Sequence, residues 1–156
     1  MNVVVGADFA GFDLKEAVKS HLIEKGLKDD DVGMFNADEE IPYYEVAATA
    51  ARKIQSGEAD KAILFCGTGM GVSIVANKFK GVYASVVESE FGGQHARVIN
   101  DSNVLTMGGF VISEYRAKRI ADLWLDSTFT AGYEHIGEFL SSALDEIKVI
   151  EGETMK

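Results

Sequence analysis

The chain has 156 residues, 47% of them apolar and 26% charged, and carries a formal net charge of −10 at pH 7. This length and composition are typical of one globular domain with a buried core. A net negative charge without a cluster of basic residues does not favour a nucleic-acid partner, because binding a nucleic acid requires clustered cations. No run of about 18 apolar residues is present, so we expect no membrane span.

Strand-like and helical patterns alternate along the chain. Five short apolar runs are predicted strands: 3–7, 32–35, 61–66, 82–87 and 104–107. Helical spacing predicts six helices: 12–25, 44–55, 72–78, one ending over 94–100, 113–125 and 133–147,. This alternation predicts an α/β fold, with a five-stranded parallel sheet covered on both faces as in a three-layer α/β/α, Rossmann-like sandwich. We expect one domain over residues 1–150 and a frayed tail over 151–156.

Cysteine usage and the first residues both bear on the compartment. Cys66 is the single cysteine, so no internal disulfide can form, and this fits a reducing environment,. The first residues lead into an apolar run instead of a signal-peptide pattern. We therefore expect a cytoplasmic protein.

The segment 62–73, AILFCGTGMGVS, is the most informative part of the sequence. Cys66 ends a predicted strand, and alternating glycines then lead into a helix. Backbone N–H groups and the positive end of a helix stabilise a thiolate, and the same N–H groups can hold an oxyanion or a phosphate. The segment could therefore supply both a base and an anion hole. The alternative is a buried, inert structural thiol.

Other candidate residues fall at the predicted carboxyl ends of strands, where ligands of parallel sheets bind. Asp8 follows the first strand, where it could cap a helix or contact substrate hydroxyls,. Glu88 lies about 20 residues after the glycine loop, as in a dinucleotide site, but the glycine spacing departs from the G-x-G-x-x-G fingerprint,. Together, these positions favour a small-molecule site.

The polar run from Asn100 to Asn103 is consistent with ordinary turn chemistry,. The histidines, His21, His95 and His135, show no metal-ligand spacing, so we expect no metal site,.

Four motifs in order along the chain resemble those of the type B ribose-5-phosphate isomerase and galactose-6-phosphate isomerase family. They are Asp8-x-Ala10-Gly11-Phe12-x-Leu14-Lys15, the segment from Cys66 to Ile74, Ala76-Asn77-Lys78 with Gly81, and Asn100-Asp101-x-Asn103-Val104-Leu105. The resemblance implies a sugar-phosphate isomerase that needs neither metal nor organic cofactor. It also implies a homodimer or homotetramer with its sites between subunits.

The resemblance also implies roles for individual residues. Cys66 would be the base that moves a proton between C1 and C2 through a cis-enediolate. Thr68 would act beside it. The remaining residues would bind substrate, through backbone N–H groups in the loop and through side chains elsewhere: Gly67, Gly69, Met70 and Gly71, with Asp8, Phe9 and Asn100.

The chain departs from the family pattern where that pattern has cationic or acidic groups. Ile99 replaces a ring-opening histidine, Phe9 replaces a histidine and Phe110 replaces an arginine. The C-terminal segment 131–135, AGYEH, lacks the arginine of the family's Gly-Gly-Arg-His, and Gly137 lies near a second arginine position. His95, one helical turn before Ile99, is a possible substitute acid, although a solvated helix histidine is the alternative.

Three interpretations of these departures stay open. In the first, the substrate is linear or short, for example a tetrose phosphate, and needs no ring-opening acid. Its phosphate would then be held by Arg97, Arg116 or Arg119, or its polar end would be unphosphorylated. Alternatively, the chain is the Cys-bearing subunit of a two-chain isomerase with a related partner. In the third interpretation, it is a non-catalytic sugar-binding domain.

Overall fold

The computed structural model describes residues 1–28 and 30–155. Its centre is a parallel sheet of four strands in the order β1-β2-β4-β3. The strands are β1 (Val3–Ala7), β2 (Lys61–Cys66), β3 (Ala84–Val86) and β4 (Val104–Gly108). The helices are α1 (Phe12–Glu24), α2 (Tyr43–Ser56), α3 (Met70–Ala76), α4 (Glu90–Val98), α5 (Glu114–Asp126) and α6 (Gly137–Thr154). A short 3-10 turn, Glu134–Ile136, precedes α6.

Two apolar clusters lie on opposite faces of the sheet, because successive strand side chains point to opposite sides. On one face, Val5, Ile63 and Leu105 pack with α1 and α5. On the other face, Val4 and Leu64 pack with α2 and α3. This arrangement confirms the predicted three-layer α/β/α sandwich.

The predicted fifth strand at 32–35 is wrong. Asp31 forms a single parallel bridge with Val5, and the Val32 N–H donates to the Val5 carbonyl at 2.9 Å. The backbone then turns, because Met34 has a φ of +44° that no strand accommodates,. The sheet therefore has four strands.

The buried side chain of Lys15 holds this turn in place. Its ammonium contacts the Asp31 carboxylate at 2.5 Å and donates to the carbonyls of Gly33 and Met34 at 2.9 and 2.5 Å. Two carbonyls that turn inward to one cation cannot also pair with β1. The same cation fixes the path of the chain toward α2.

The predicted frayed tail at 151–156 is also wrong over its described residues. Helix α6 continues to Thr154, and Glu151 is buried. The Glu151 carboxylate accepts hydrogen bonds from the Gly81 N–H at 2.6 Å and from the Tyr83 hydroxyl at 3.2 Å. These contacts across about 70 residues tie the end of the helix to the segment before β3. Residue 156 lies outside the described residues.

No helix among the described residues is long and apolar enough to cross a membrane.

We expect Lys15→Met to destabilise the fold by about 1–3 kcal/mol, because it leaves the buried carbonyls of Gly33 and Met34 without their donor and leaves the Asp31 carboxylate with Lys19 alone, at 2.9 Å,. Urea unfolding followed by circular dichroism measures this loss. Lys148→Met is the matched control, because its exposed pair with Asp145 contributes at most about 1 kcal/mol,. Equal midpoints for Lys15→Met and the unmodified chain would contradict the role of Lys15.

Candidate active site

Three loops meet at the edge of the sheet where the parallel strands end. They follow β1, β2 and β4, and they carry Asp8, the glycine loop and Phe110. Hydrogen bonds join two of them: the Gly109 N–H donates to the Cys66 carbonyl at 2.8 Å, and the Phe110 N–H donates to the Gly67 carbonyl at 2.9 Å. The fold therefore brings together Asp8 and Cys66, two of the positions predicted to lie at this edge.

Glycines at two contact points let the loops approach this closely. A Cβ on Gly11 would lie 2.8 Å from the Cys66 backbone nitrogen and 2.6 Å from the Phe65 carbonyl carbon. A Cβ on Gly109 would overlap the Ala10 carbonyl oxygen. The loops after β1 and β4 therefore pack backbone to backbone beside the thiol, which only glycine permits.

The Cys66 thiol is buried at the end of β2. Its sulfur accepts a hydrogen bond from the Gly69 N–H at 3.1 Å, so one main-chain donor is directed at the sulfur. The neighbouring Met70 N–H donates to the Thr68 hydroxyl oxygen at 3.3 Å. Because the Thr68 oxygen accepts this hydrogen bond, its own hydroxyl proton points away from the Met70 N–H. That proton can therefore be donated to a bound molecule.

Asp8 is held rigidly at the end of β1. Its Oδ1 accepts hydrogen bonds from the N–H groups of Ala10 and Gly11 at 3.0 and 3.1 Å. Asp8 is therefore not the N-cap of α1, a position that Gly11 occupies. Burial raises the pKa of the Asp8 carboxyl above its usual range, while the two backbone N–H groups act in the opposite direction. A carboxyl poised in this way can exchange hydrogen bonds with sugar hydroxyls.

A cavity of about 420 Å³ opens beside Asp8. Its wall is formed by Asp8, Phe9 and the segment 40–44. Within it, the Tyr43 ring packs against Gly71 of the glycine loop. The site therefore has a carboxylate and tyrosines on one side of the thiol. Phe9 stands at the rim, 74% exposed.

Asn100 lies at the opposite edge of the sheet. Helix α4 runs back from the end of β3, so the 100–103 turn leads into the start of β4. There, Asn100 lines a separate cleft with Tyr83, Ser85 and residues of α6. A site built by one chain alone cannot contain both Cys66 and Asn100.

Both ring nitrogens of His95 lie within hydrogen-bond distance of other residues of the chain. Its Nδ1 lies 2.8 Å from the Phe91 carbonyl and its Nε2 lies 2.8 Å from the Tyr133 hydroxyl. Because a carbonyl only accepts, Nδ1 donates to Phe91. The ring also stacks on Phe91 with centroids 3.7 Å apart. These contacts hold the His95 ring in place.

The three arginines considered for phosphate binding differ in their surroundings. Arg97 pairs with Asp101 at the far end of α4, away from the thiol edge. Arg119 pairs with Glu90 at 3.0 Å, close to the start of α4. Arg116 makes no ion pair within the described residues, and it lies in the first turn of α5. Among residues 1–28 and 30–155, no group of three or more His, Cys, Asp or Glu side chains is placed to hold a metal ion.

Tyr43 and its cavity are the parts of the site that sequence reasoning missed. The sequence did contain a signal for them, because a helix that leads into a strand of a parallel sheet must begin at the edge where the strands end. Tyr43 and Tyr44 follow Pro42 at the start of α2, the helix that leads into β2. Their location beside the glycine loop follows from that topology.

Comparisons with known proteins identify relatives of this chain. The sequence profile of the family described as Ribose/Galactose Isomerase matches residues 3–139. The 4-deoxy-4-sulfo-D-erythrose isomerase of Clostridium sp. (strain MSTE9) is 46% identical over 97% of this chain and 96% of its own. The D-erythrulose-4-phosphate isomerase of Pectobacterium atrosepticum is 38% identical over 85% of this chain and 87% of its own.

The fold agrees as well. The ribose-5-phosphate isomerase B of Clostridium thermocellum superposes with a TM-score of 0.89 at 31% identity, covering 98% of this chain and 99% of that structure. With the profile match across most of its length, the chain belongs to the ribose/galactose isomerase family and is an enzyme of the aldose–ketose isomerase class.

Proposed function

We propose that the enzyme interconverts an acyclic four-carbon aldose and its 2-ketose, each with an anionic group on C4, and that Cys66 is the base. The carrying observation is the buried Cys66 thiol with the Gly69 N–H donated to its sulfur at 3.1 Å. The first candidate substrate is 4-deoxy-4-sulfo-D-erythrose, on which the relative with 46% identity is named to act. D-erythrulose 4-phosphate is the second, from the names of two further relatives.

The reaction moves one proton between neighbouring carbons. The Cys66 thiolate takes the proton from C2 of the aldose, and the C–H electron pair forms the C1–C2 double bond of an enediolate as the C1 carbonyl becomes an oxyanion. The thiol then returns a proton to C1, and the C2 oxygen becomes the ketone. The backbone N–H groups of the glycine loop, from Gly67 to Gly71, would hold the developing charge. The Thr68 hydroxyl would carry the proton between the two oxygens.

An acyclic substrate explains the loss of the ring-opening histidine. An aldotetrose closes a five-membered ring only through the C4 hydroxyl. That hydroxyl is absent in a C4 sulfonate and esterified in a C4 phosphate. The enzyme then requires no acid to open a ring, and Ile99 at that position is consistent with such a substrate.

The sparse cations of the site support a terminal sulfonate. A phosphate monoester carries nearly two negative charges at pH 7, whereas a sulfonate carries one. Phe110 and Tyr133 stand where the family pattern has arginines. Without these arginines the site attracts an anion less strongly, and this suits the single charge of a sulfonate.

We further propose that a second copy of the chain completes the site. Cys66 and Asn100 lie at opposite edges of the sheet, so both can contact one substrate only if they come from different copies. Helix α6 supports such an assembly, because it presents Phe139, Val149 and Ile150 to the surface,. A homodimer or homotetramer is therefore expected. The alternative is that a related second chain completes the site, and the next experiment distinguishes the two by testing this chain alone.

The purified chain is expected to isomerise 4-deoxy-4-sulfo-D-erythrose or D-erythrulose 4-phosphate, and to turn over ribose 5-phosphate far more slowly because most of that sugar is cyclic. Cys66→Ala should lower kcat by at least about 10²–10⁴-fold. Cys66→Ser should keep only weak activity, because a hydroxyl is a poorer base. Product formation by NMR measures each rate, and circular dichroism checks the fold of each variant.

Full activity of Cys66→Ala would contradict the base assignment. Inactivity of the unmodified chain on every four-carbon substrate would contradict the proposed function and would direct attention to a partner chain or a binding role.

Asp8→Asn should lower kcat/KM on the four-carbon substrate by about 10–100-fold, the loss of one hydrogen bond to a charged group. Asparagine keeps the oxygen that accepts from Ala10 and Gly11, so the turn is retained. Asp13→Asn, an exposed carboxylate in the first turn of α1, serves as the control. The role of Asp8 in substrate binding fails if both variants keep full activity.

A further inference from the structure

A second buried lysine stands at the start of β2, without the contacts that hold Lys15. Lys61 is 7% exposed, and its Nζ lies over the Trp124 ring, 5.0 Å from the ring centroid. Among residues 1–28 and 30–155, its ammonium makes no hydrogen bond and no ion pair. Burial removes the hydration of an ammonium, and the face of one aromatic ring replaces only part of it. The fold therefore does not favour the charged form of Lys61.

A second cation with an unused donor belongs to the same cluster. The Trp124 Nε1–H donates to the Ser102 hydroxyl at 2.8 Å, and the Arg97 Nη1 donates to the Ser102 carbonyl at 3.4 Å. The Arg97 guanidinium also pairs with Asp101, but its Nε–H is buried and has no acceptor among the described residues. Two cationic side chains therefore bring buried donors to one place that lacks an oxygen to accept from them.

The surroundings of Lys61 make its amine reactive. Burial, and after it the Arg97 guanidinium, lowers the pKa of the Lys61 ammonium to about 8, against the opposing effect of three carboxylates: Asp101, Asp60 and Asp126. Roughly one tenth of Lys61 is then uncharged at pH 7, compared with less than about 0.1% of a lysine whose pKa is about 10.4. An uncharged amine has the free electron pair that an electrophile requires.

We propose that Lys61 is a site of N-acylation by a small activated acyl donor of the acyl phosphate class. The amine nitrogen attacks the acyl carbonyl carbon, the bond from that carbon to the phosphate oxygen breaks, inorganic phosphate leaves, and the amine proton passes to water. The product is a neutral amide. Its carbonyl oxygen supplies the acceptor that the Arg97 Nε–H lacks, and its N–H faces the Trp124 ring.

The position of Lys61 separates this modification from the isomerase site. Lys61 is the first residue of β2 and Cys66 is the last, so the two lie at opposite edges of the sheet, about 16 Å apart along the strand,. The inference therefore depends neither on the identity of the substrate nor on the role of the thiol. Its tests use the folded chain without substrate.

Trace labelling of the folded chain with isotope-labelled acetyl phosphate compares its lysines in one sample. At pH 7 we expect Lys61 to be acetylated at least about 10-fold faster than Lys148, an exposed lysine that pairs with Asp145, because far more of Lys61 is uncharged,. The Lys61 rate should level off above a midpoint near pH 8, whereas the Lys148 rate should keep rising. Peptide mass spectrometry measures each site, and Lys61→Arg identifies the Lys61 signal.

Acetylation of Lys61 at or below the rate of Lys148 overturns the inference.

Stability gives a second, independent readout. Because the pKa of Lys61 is lowered in the folded chain, its ammonium costs stability below about pH 8, and the cost disappears as the pH rises from about 8 toward the ordinary value of 10.5,. Lys61→Gln, a neutral mimic of the acetylated side chain, should therefore raise the urea midpoint at pH 7, with a gain that shrinks toward pH 10. Lys148→Gln is the matched control and should leave the midpoint nearly unchanged. A lower midpoint for both Lys61→Gln and the chain acetylated at Lys61 would show that the cluster requires the cation, and would also overturn the inference.

Discussion

Close backbone packing around Cys66 is the constraint on which the rest of the site depends. The loop after β1 touches the end of β2 through Gly11, and the loop after β4 touches the loop after β1 through Gly109; a side chain at either glycine would overlap a backbone atom. This contact places the Asp8 carboxyl and the Phe110 ring beside one thiol. It also leaves the Gly69 N–H directed at the sulfur. A thiol, a main-chain donor directed at its sulfur and a carboxyl group are thereby held together by main-chain geometry.

A buried cation shapes the other side of the site. The Lys15 ammonium draws in the carbonyls of Gly33 and Met34, and the chain leaves the sheet instead of adding a strand. The segment that follows delivers Tyr43 to the glycine loop at the start of α2. An electrostatic contact within the fold is thus linked to the side chain that packs against the glycine loop.

Sequence patterns predicted the parts of the fold that depend on local chemistry. The ends of β2 coincide with the predicted strand 61–66. The helix predicted over 113–125 corresponds to α5, which Ser113 caps by accepting from the Arg116 N–H. The glycine loop after Cys66 was also predicted, because alternating glycines after a cysteine at the end of a strand are typical of an anion-binding loop. The order of strand, loop and helix followed from the same short segment.

The failures have a common cause in contacts between distant residues. The turn at Met34 depends on Lys15, which lies 19 residues earlier. The end of α6 depends on hydrogen bonds from Gly81 and Tyr83 to Glu151. The partner of His95 is Tyr133, 38 residues later, and no local pattern connects the two. Periodicity describes which residues face a core, but it does not show which polar groups meet across it.

Proton transfer by Cys66 at the substrate carbon is the central claim, and solvent deuterium tests it most directly. The enzyme would be incubated in D₂O with D-erythrulose 4-phosphate, and deuterium at C1 would be followed by NMR beside Cys66→Ala. The account predicts that deuterium enters C1 with the unmodified enzyme and that entry slows by at least about 10²-fold in the variant. Deuterium entry at an equal rate in Cys66→Ala would show that another group abstracts the proton and would contradict the account.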